Sequence, residues 1–443
     1  MTTEITSRGY PVGGGGVTGR PRRPARRVRV ERPRRPASRR PIVYVEGMAD
    51  LLAVDEALVR VLAHAQPLPA VHAVLADAYG RILAEPASAS IDLPPFPSSA
   101  MDGFALRAAD TPGTLPVAAR VAAGRPAAAR LAPGQAMGIA TGGVVPDGAD
   151  AVVPLELVVD HGNSIVVASD VLGGANIRSQ GGDVRAGEAV LAPGLMLTAA
   201  RIAALAACGV GEVRCGARPR VAIVTTGTEL RAPGEELRAG EIYESNGAML
   251  AAALGAAGAL VERLGSVADD EASHRAVIER GLGADVLVTS GGVSVGPHDL
   301  VRRVGLELGV EEVFWGVAMR PGKPLAFGVR GTTLVFGLPG NPVSSLVGCL
   351  LFVVPAVLAL QGASAPGPRY LSGTLAAPVR RNPARDDFVR ARATWRHGGV
   401  ELHPIVGQES HMIVRSAAAD ALIRVGRGDG EIAAGAPAGY LPF

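Results

Sequence analysis

At 443 residues, 48% hydrophobic, 19% charged and only 4% aromatic, the chain is long enough for several domains packed mainly by Val, Leu and Ala. Its formal net charge of +3 is unevenly placed: residues 1–41 hold 12 Arg against 2 acidic residues, leaving 32 basic against 39 acidic side chains in the body, so overall basicity is no argument for a nucleic-acid-binding body. Three cysteines (Cys208, Cys215, Cys349) lack paired metal-ligand spacing and leave one over from any disulfide, which points to buried thiols in a reducing, cytoplasmic setting.

Residues 1–41, rich in Arg, Pro and Gly and without apolar periodicity, are expected to be disordered. They read as a solvated tail or as an electrostatic arm, and they lack the apolar core of a signal peptide. From Met48 helices are expected. Ala53, Ala57, Leu58, Val61 and Leu62 recur at helical spacing, and Val71–Leu83 repeats the pattern until Pro86 stops it. The prolines of Ile91–Arg107 oppose a helix, and Met101-Asp102-Gly103-Phe104 reads as a turn entering a strand. Asp102 is there either a turn residue or a site carboxylate. Residues 114–190 read as short strands between Gly/Pro turns. Within them Thr141-Gly142-Gly143 offers a hydroxyl and close-approach amides to an anion, or is a plain hairpin turn, and Asp183 follows a second Gly pair. Leu197–Ala207 is expected to be helical.

At Arg220 the pattern changes to alternating strands and helices. Val221–Leu230, Val261–Asp270, the apolar part of Ala284–Asp299 and Thr332–Phe336 read as strands, and Asn246–Leu260 as a helix. This alternation indicates a doubly wound, mostly parallel sheet, where ligands bind beyond the carboxyl ends of the strands. The loops expected at that edge have complementary chemistry. Thr225, Thr226, Gly227 and Ser290, Gly291, Gly292 bring hydroxyls and main-chain amides, and Asn341 as N-cap with Pro342 in the first turn aims a helix start at the same crevice. Glu229, Asp269 and Asp299 suit Mg²⁺ as oxygen ligands, and Arg320 and Lys323 suit an oxyanion. Lys323 is the only lysine in the chain, which reads either as selection for a compact ammonium or as compositional chance. No G-x-x-x-x-G-K-[ST] occurs and no G-x-G-x-x-G follows the first strand. The apolar run Leu346–Leu360, about 15 residues with Pro355 inside, falls short of the roughly 20 of a membrane span and reads as a buried helix. After Pro366 the strands Leu371–Pro378, Asp387–Trp395, Val400–Val406 and Ala421–Val425 suggest a small barrel or sandwich, with His411 a surface histidine.

In these motifs the chain resembles the molybdopterin molybdotransferases, the MoeA and gephyrin E-domain family. The blocks are P-P-F-x-x-S-A-M-D-G-F-A, T-G-G-x-x-P-x-G-A-D-A-V-V, T-G-T-E-L, I-Y-E-S-N, S-G-G-V-S-V-G-x-x-D, R-P-G-K-P and L-P-G-N-P-V-S, spread from about Met48 to Phe443. The resemblance implies a helical stalk (48–90 and 188–217), an inserted β lobe (91–187), a molybdopterin-binding α/β domain (218–367) and a C-terminal β-barrel (368–443). It also implies a homodimer whose crevice is completed by the partner's β lobe. The implied reaction inserts molybdate into adenylylated molybdopterin with Mg²⁺ and releases AMP, after a molybdopterin adenylyltransferase has made that substrate. Asp102, Thr141 and Asp183 would come from the partner's side. Glu229, Asp269, Asp299, Arg320, Pro339 and Pro342 would line the pterin, molybdate and metal side, and Lys323, Gly340, Asn341 and Ser344 beside them are expected to bind substrate. Two departures stand out: Pro97-Ser98 where the family has Asp-Asn, and Gly316 where some relatives carry a second lysine. The competing readings are a molybdopterin adenylyltransferase-like enzyme, which needs only the α/β domain, and a non-catalytic gephyrin-like scaffold.

Overall fold

The structure is a computed structural model that describes residues 51–122, 124–267, 270–292 and 300–443. The expected N-terminal tail, Asp269 and Asp299 lie outside the described residues.

Helix α1 (Val54–His64) forms where its apolar spacing puts it. Its buried Val54, Ala57 and Val61 share one cluster with Val221, Val286, Leu334 and Phe352. Helix α1 thus packs into the α/β core. One expectation fails at Val71–Leu83. This stretch is a strand, Ala70–Val74, followed by a single 3₁₀ turn, Leu75–Asp77. The strand pairs antiparallel with Glu212–Gly216, and Ala73, Leu75, Ala78 and Leu83 are buried with Leu197, Leu205 and Val213. Burial against a partner far along the chain overrides a locally helical spacing. Helix α2 (Ala199–Ala207), capped by Thr198 whose hydroxyl accepts from Arg201 N, is the only α-helix among the described residues between His64 and Asn246.

The expected β lobe is present as a six-stranded sheet ordered Ala151–Pro154, Gly103–Leu106, Ala136–Ile139, Gly113–Val121, Ser164–Val167 and Val158–Asp160. Gly103 is required there, since a β-carbon would lie 2.0 Å from Val153 O on the neighbouring strand.

The central sheet runs Leu260–Val267, Arg220–Thr226, Val286–Ser290, Thr333–Leu338, Ala326–Arg330, Glu311–Trp315. The first four strands are parallel. Ala326–Arg330 joins them antiparallel through a tight turn at Gly331 (φ +59°), and Glu311–Trp315 pairs antiparallel with it in turn; neither strand was foreseen. Alternate residues of the parallel strands face opposite layers. Val221, Ile223, Val286 and Val288 pack with α1, helix α3 (Asn246–Ala256) and the long C-terminal helix of this region. Ala222, Val224 and Leu287 pack with α4 (Glu271–Gly281) and α5 (Leu300–Glu307). Helices on both faces make the region doubly wound, as the alternation predicts. Helix α3 ends at Ala256, four residues before the expected stop, because Gly258 (φ +92°) turns the chain into the Leu260 strand.

The long helix starts as α6 (Pro342–Gly348), passes a π turn at Cys349–Val353 and continues as α7 (Val354–Leu360). At 19 residues it is long and apolar enough to cross a membrane, yet 78% of its apolar window is buried inside the protein, as in a core helix. The three cysteines are free and buried, and burial pushes the Cys349 thiol up to about 12.

The C-terminal strands close a five-stranded barrel: Asp386–Arg396, Gly399–Pro404, Leu371–Leu375, Pro437–Pro442, Ala421–Val425 and back to Asp386–Arg396. The pair Met319–Arg320 adds to its rim, parallel to Asp386–Asp387. Arg424 of the barrel grips both oxygens of Asp55 on α1 at 2.7 and 2.8 Å and also Asp386 at 2.7 Å.

Candidate active site

The carboxyl ends of the parallel strands bring three loops together. Thr226, Gly227 and Glu229 follow the first strand, Ser290, Gly291 and Gly292 the third, and Pro339, Gly340 and Asn341 the fourth. Two contacts make the packing of these loops tight. A β-carbon on Gly291 would lie 2.5 Å from Thr226 Oγ1, and one on Gly340 would lie 3.6 Å from Gly291 Cα. Gly291 N donates to Leu338 O at 3.0 Å. The exposed Glu229 carboxylate folds back over Gly227, where a β-carbon would meet Oε2 at 2.6 Å. Among the described residues the edge therefore presents the Thr226 hydroxyl, a run of glycine backbone and the Glu229 carboxylate.

Not every expected group faces this crevice. Thr225 is buried and its hydroxyl shares a hydrogen bond with Ser266 Oγ at 3.0 Å. Ser290 is 2% exposed and its hydroxyl is engaged with Ser345 Oγ and Pro339 O. Ser344 and Pro339 are also buried. Asn341 holds the N-cap position of α6 without a side-chain cap; its amide donates instead to Ser410 Oγ at 3.0 Å, docking a barrel loop on the helix start. His411 beside it is exposed, as expected.

The basic turn lies at the same edge, because Glu311–Trp315 runs parallel in direction to Thr333–Leu338 and the chain leaves its carboxyl end into residues 316–325. Gly322 (φ +108°) sits over Ser344 in the first turn of α6. Lys323 is exposed, and among the described residues it forms no ion pair. Arg320 is not free: its guanidinium is ion-paired with Asp387 of the barrel. Asp387 is only 2% exposed, and its Oδ1 is buried without a partner. Burial pushes its carboxyl up, against the opposing pull of Arg320. The Gly316 position, where some relatives have lysine, is buried and left-handed (φ +91°), with Leu51 packed over it.

In the β lobe, Thr141 donates to Asp102 Oδ1 twice, from its backbone N at 2.7 Å and its hydroxyl at 3.1 Å. Both residues are exposed. Gly142 and Gly143 are tied to Ser99. Asp183 is exposed on a neighbouring loop, its N donating to Leu93 O at 2.9 Å. The unusual Ser98 is buried in a short strand opposite Arg178, and Pro97 O accepts from Val145 N, so both are absorbed into the lobe without disturbing Asp102. Among the described residues, no hydrogen bond or ion pair joins Asp102, Thr141 or Asp183 to the loops of the central sheet.

For a metal, Glu229 is the one described residue of the three expected ligands. Among the described residues no group of three His, Cys, Asp or Glu is placed to hold an ion. Asp270, next to the expected Asp269, is committed to capping α4 through Ser273, which holds its carboxyl below the usual range.

The sequence reading missed two residues of this site. Asn246, at the start of α3, donates to Ser290 Oγ at 2.9 Å and to Gly340 O at 2.7 Å; its place in the I-Y-E-S-N block was the available signal. Asp387 has no local signal.

Family models match three consecutive parts of the chain: the MoeA N-terminal region (domains I and II) over residues 52–209, a probable molybdopterin-binding domain over 222–359, and the MoeA C-terminal region (domain IV) over 372–443. Molybdopterin molybdenumtransferase 2 of Mycobacterium tuberculosis is 38% identical over 376 residues, covering 82% of this chain and 92% of the relative. The chain belongs to the MoeA family. The molybdopterin molybdenumtransferase of Haemophilus influenzae is 34% identical over 400 residues, covering 89% and 99% of the two chains. A crystal structure of a MoeA protein from Pyrococcus horikoshii is 28% identical and superimposes with a TM-score of 0.77, covering 89% of this chain and all of the other. The MoeA fold of several domains, mixed sheets and a closed five-stranded barrel is thus shared along the described body. The three-loop crevice lies within the part matched by the molybdopterin-binding model.

Proposed function

We propose that this chain is a transferase of molybdenum cofactor biosynthesis that inserts molybdenum into molybdopterin. The observation that carries this reading is the convergence of Thr226–Gly227, Ser290–Gly292 and Pro339–Asn341 at one sheet edge, with Lys323 and Arg320 beside them. The substrates are adenylylated molybdopterin and molybdate. Glycine amides and the Thr226 hydroxyl hold the pterin phosphate, and the α6 start and Lys323 add positive charge for the oxyanions. Water attacks the phosphoanhydride, AMP leaves and the pterin keeps its phosphate, and the two dithiolene thiols displace one molybdate oxygen, which departs with their protons as water. Holding these anions together supplies most of the rate, by proximity and charge stabilisation. Glu229, with Asp269 and Asp299, would hold Mg²⁺, which when bound neutralises phosphate charge.

The crevice is completed by a second copy of the chain. Asp102, Thr141 and Asp183 are exposed on the β lobe and, among the described residues, bonded to no loop of their own central sheet, which supports a homodimer in which they face the partner's loops. The lobe and the 188–217 stalk are the parts that present them. The working site is cytoplasmic, where thiols stay reduced. A stand-alone adenylyltransferase would need only residues 218–367, so the family matches on both sides favour the transferase.

The test is cofactor formation and AMP release from purified protein, adenylylated molybdopterin, molybdate and Mg²⁺. Glu229→Ala should lower turnover by about 10²-fold or more with an unchanged melting temperature, because the side chain is exposed. Undiminished turnover in that variant refutes the assignment, and pterin binding without turnover by the wild type would support the scaffold instead.

A further inference from the structure

The Ser290–Gly292 and Pro339–Asn341 loops leave adjacent parallel strands, paired through Ser290 and Leu338, and are tied further by Gly291 N to Leu338 O and by Ser290 Oγ to Pro339 O. Beyond the ladder, at Gly340, a side chain from outside both loops bridges them. Asn246 Nδ2 uses both hydrogens, one to Ser290 Oγ at 2.9 Å and one to Gly340 O at 2.7 Å. The residue is half-buried, its Oδ1 is enclosed without a partner among the described residues, and it begins a helix whose Leu250 and Leu254 are wholly buried in the core. Its backbone is thus anchored, and the amide is presented to both loops from a fixed base. Directly behind it, the buried Glu244 accepts from Gly247 N at 2.6 Å and pairs with Arg263 Nη2 at 2.8 Å, fixing the turn that carries Asn246.

We infer that Asn246 is a positioning residue that sets the distance between the Ser290–Gly292 and Pro339–Asn341 loops, and through it the affinity of the crevice for a phosphate-bearing pterin. The inference rests on the crevice being the molybdopterin site. Only an amide serves here. A carboxylate of the same shape has no hydrogen to give and sets negative charge against the Gly340 carbonyl oxygen and beside the phosphate position.

The experiment has two arms on the full chain as wild type, Asn246→Ala and Asn246→Asp. The first follows amide hydrogen exchange at Gly291, Gly292, Gly340 and Asn341 without ligand; the second titrates molybdopterin by its fluorescence between pH 8 and pH 5. Both variants should exchange faster at the two loops than the wild type. Losing two neutral hydrogen bonds should weaken pterin binding about tenfold in Asn246→Ala. At pH 8 Asn246→Asp should bind more weakly still, and it should recover toward the alanine variant as pH falls, because a protonated carboxyl can donate to Gly340 O. A residue that merely fills space gives the opposite order, with the isosteric Asp closer to wild type. Unchanged exchange in both variants, or Asp binding as tightly as wild type at pH 8, overturns the inference. Absence of molybdopterin binding by the wild type sinks the reading of the crevice instead, and the exchange arm then judges the brace by itself.

Discussion

Lys323 and Arg320 stand three residues apart in one basic turn, yet the structure gives them different jobs. Lys323 is exposed and unpaired among the described residues, so its ammonium is available to a ligand. Arg320 is bound to a carboxylate that is itself buried. Lys323→Met should therefore weaken binding of molybdate or pterin and leave the melting temperature alone, whereas Arg320→Met should also destabilise the protein. Leaving Asp387 buried and unpaired costs about 1–3 kcal/mol, below the ~3–5 kcal/mol typical of a fully buried pair because Arg320 keeps much of its solvation. The pH dependence has a definite sign. Burial raises the Asp387 carboxyl above its unfolded value, so the folded protein binds the proton more tightly, and stability from this group falls as pH rises through the interval between the two values. Without Arg320 that interval widens. The melting deficit of Arg320→Met relative to wild type should shrink from pH 7 to pH 5, and an equal deficit at both pH values would show that Asp387 is not the cause. Lys323 was legible in the sequence as the sole lysine. Asp387 was not, since its role exists only once a barrel strand is laid beside Met319–Arg320.

At the scale of elements, the parallel strands were legible because burial on both faces makes them continuous apolar runs. Their loops were legible because glycine and hydroxyl residues cluster at their ends. The failures have physical causes. Val71–Leu83 has helical spacing but finds its partner at Glu212–Gly216, information absent from any local window. Glu311–Trp315 and Ala326–Arg330 flank the basic turn and bring it to the right edge, but Glu311, Glu312 and Gly328 break up the apolar runs that would mark them as strands. Pro355 weighs against a membrane span but not against a buried helix, and the π turn just before it lets that helix pass the missing N–H and stay continuous. In the sequence the loop glycines read as donors of main-chain amides to a ligand, and the structure shows that they also let the loops approach one another. Gly291 is left-handed (φ +99°) and a β-carbon there would lie 2.5 Å from Thr226 Oγ1. Gly291→Ala should cost about 1–3 kcal/mol in backbone strain and also wedge the Thr226 and Ser290–Gly292 loops apart. Denaturant unfolding with pterin titration would separate the two effects, and a variant that loses stability but binds normally would rule out the wedge.

Over the whole described body, one core continues from α1 through the central sheet and α7 to Phe388 and Leu422 of the barrel. The Arg424 grip on Asp55 and Asp386 closes the same junction at its rim, and holds the Asp55 carboxyl below its usual range. The barrel is thus fixed to the crevice that its Ser410 loop and Asp387 adjoin. The β lobe stands differently, for its Asp102–Thr141 pair is preformed but bonded to none of those loops. If the lobe serves a second copy, the two halves of each site lie on different chains, and a two-fold dimer carries two such sites. Asp102→Ala and Glu229→Ala should then each be inactive alone. In a mixed dimer one site unites both damaged residues and the other unites the two intact ones. Random exchange between equal amounts of the two variants makes half the dimers mixed, so about a quarter of wild-type turnover should return. Recovery should rise with time of exchange and vanish when the double variant replaces either partner. If both residues serve the same chain, no mixture of the two recovers activity at any ratio, and the lobe would have to reach its own crevice instead.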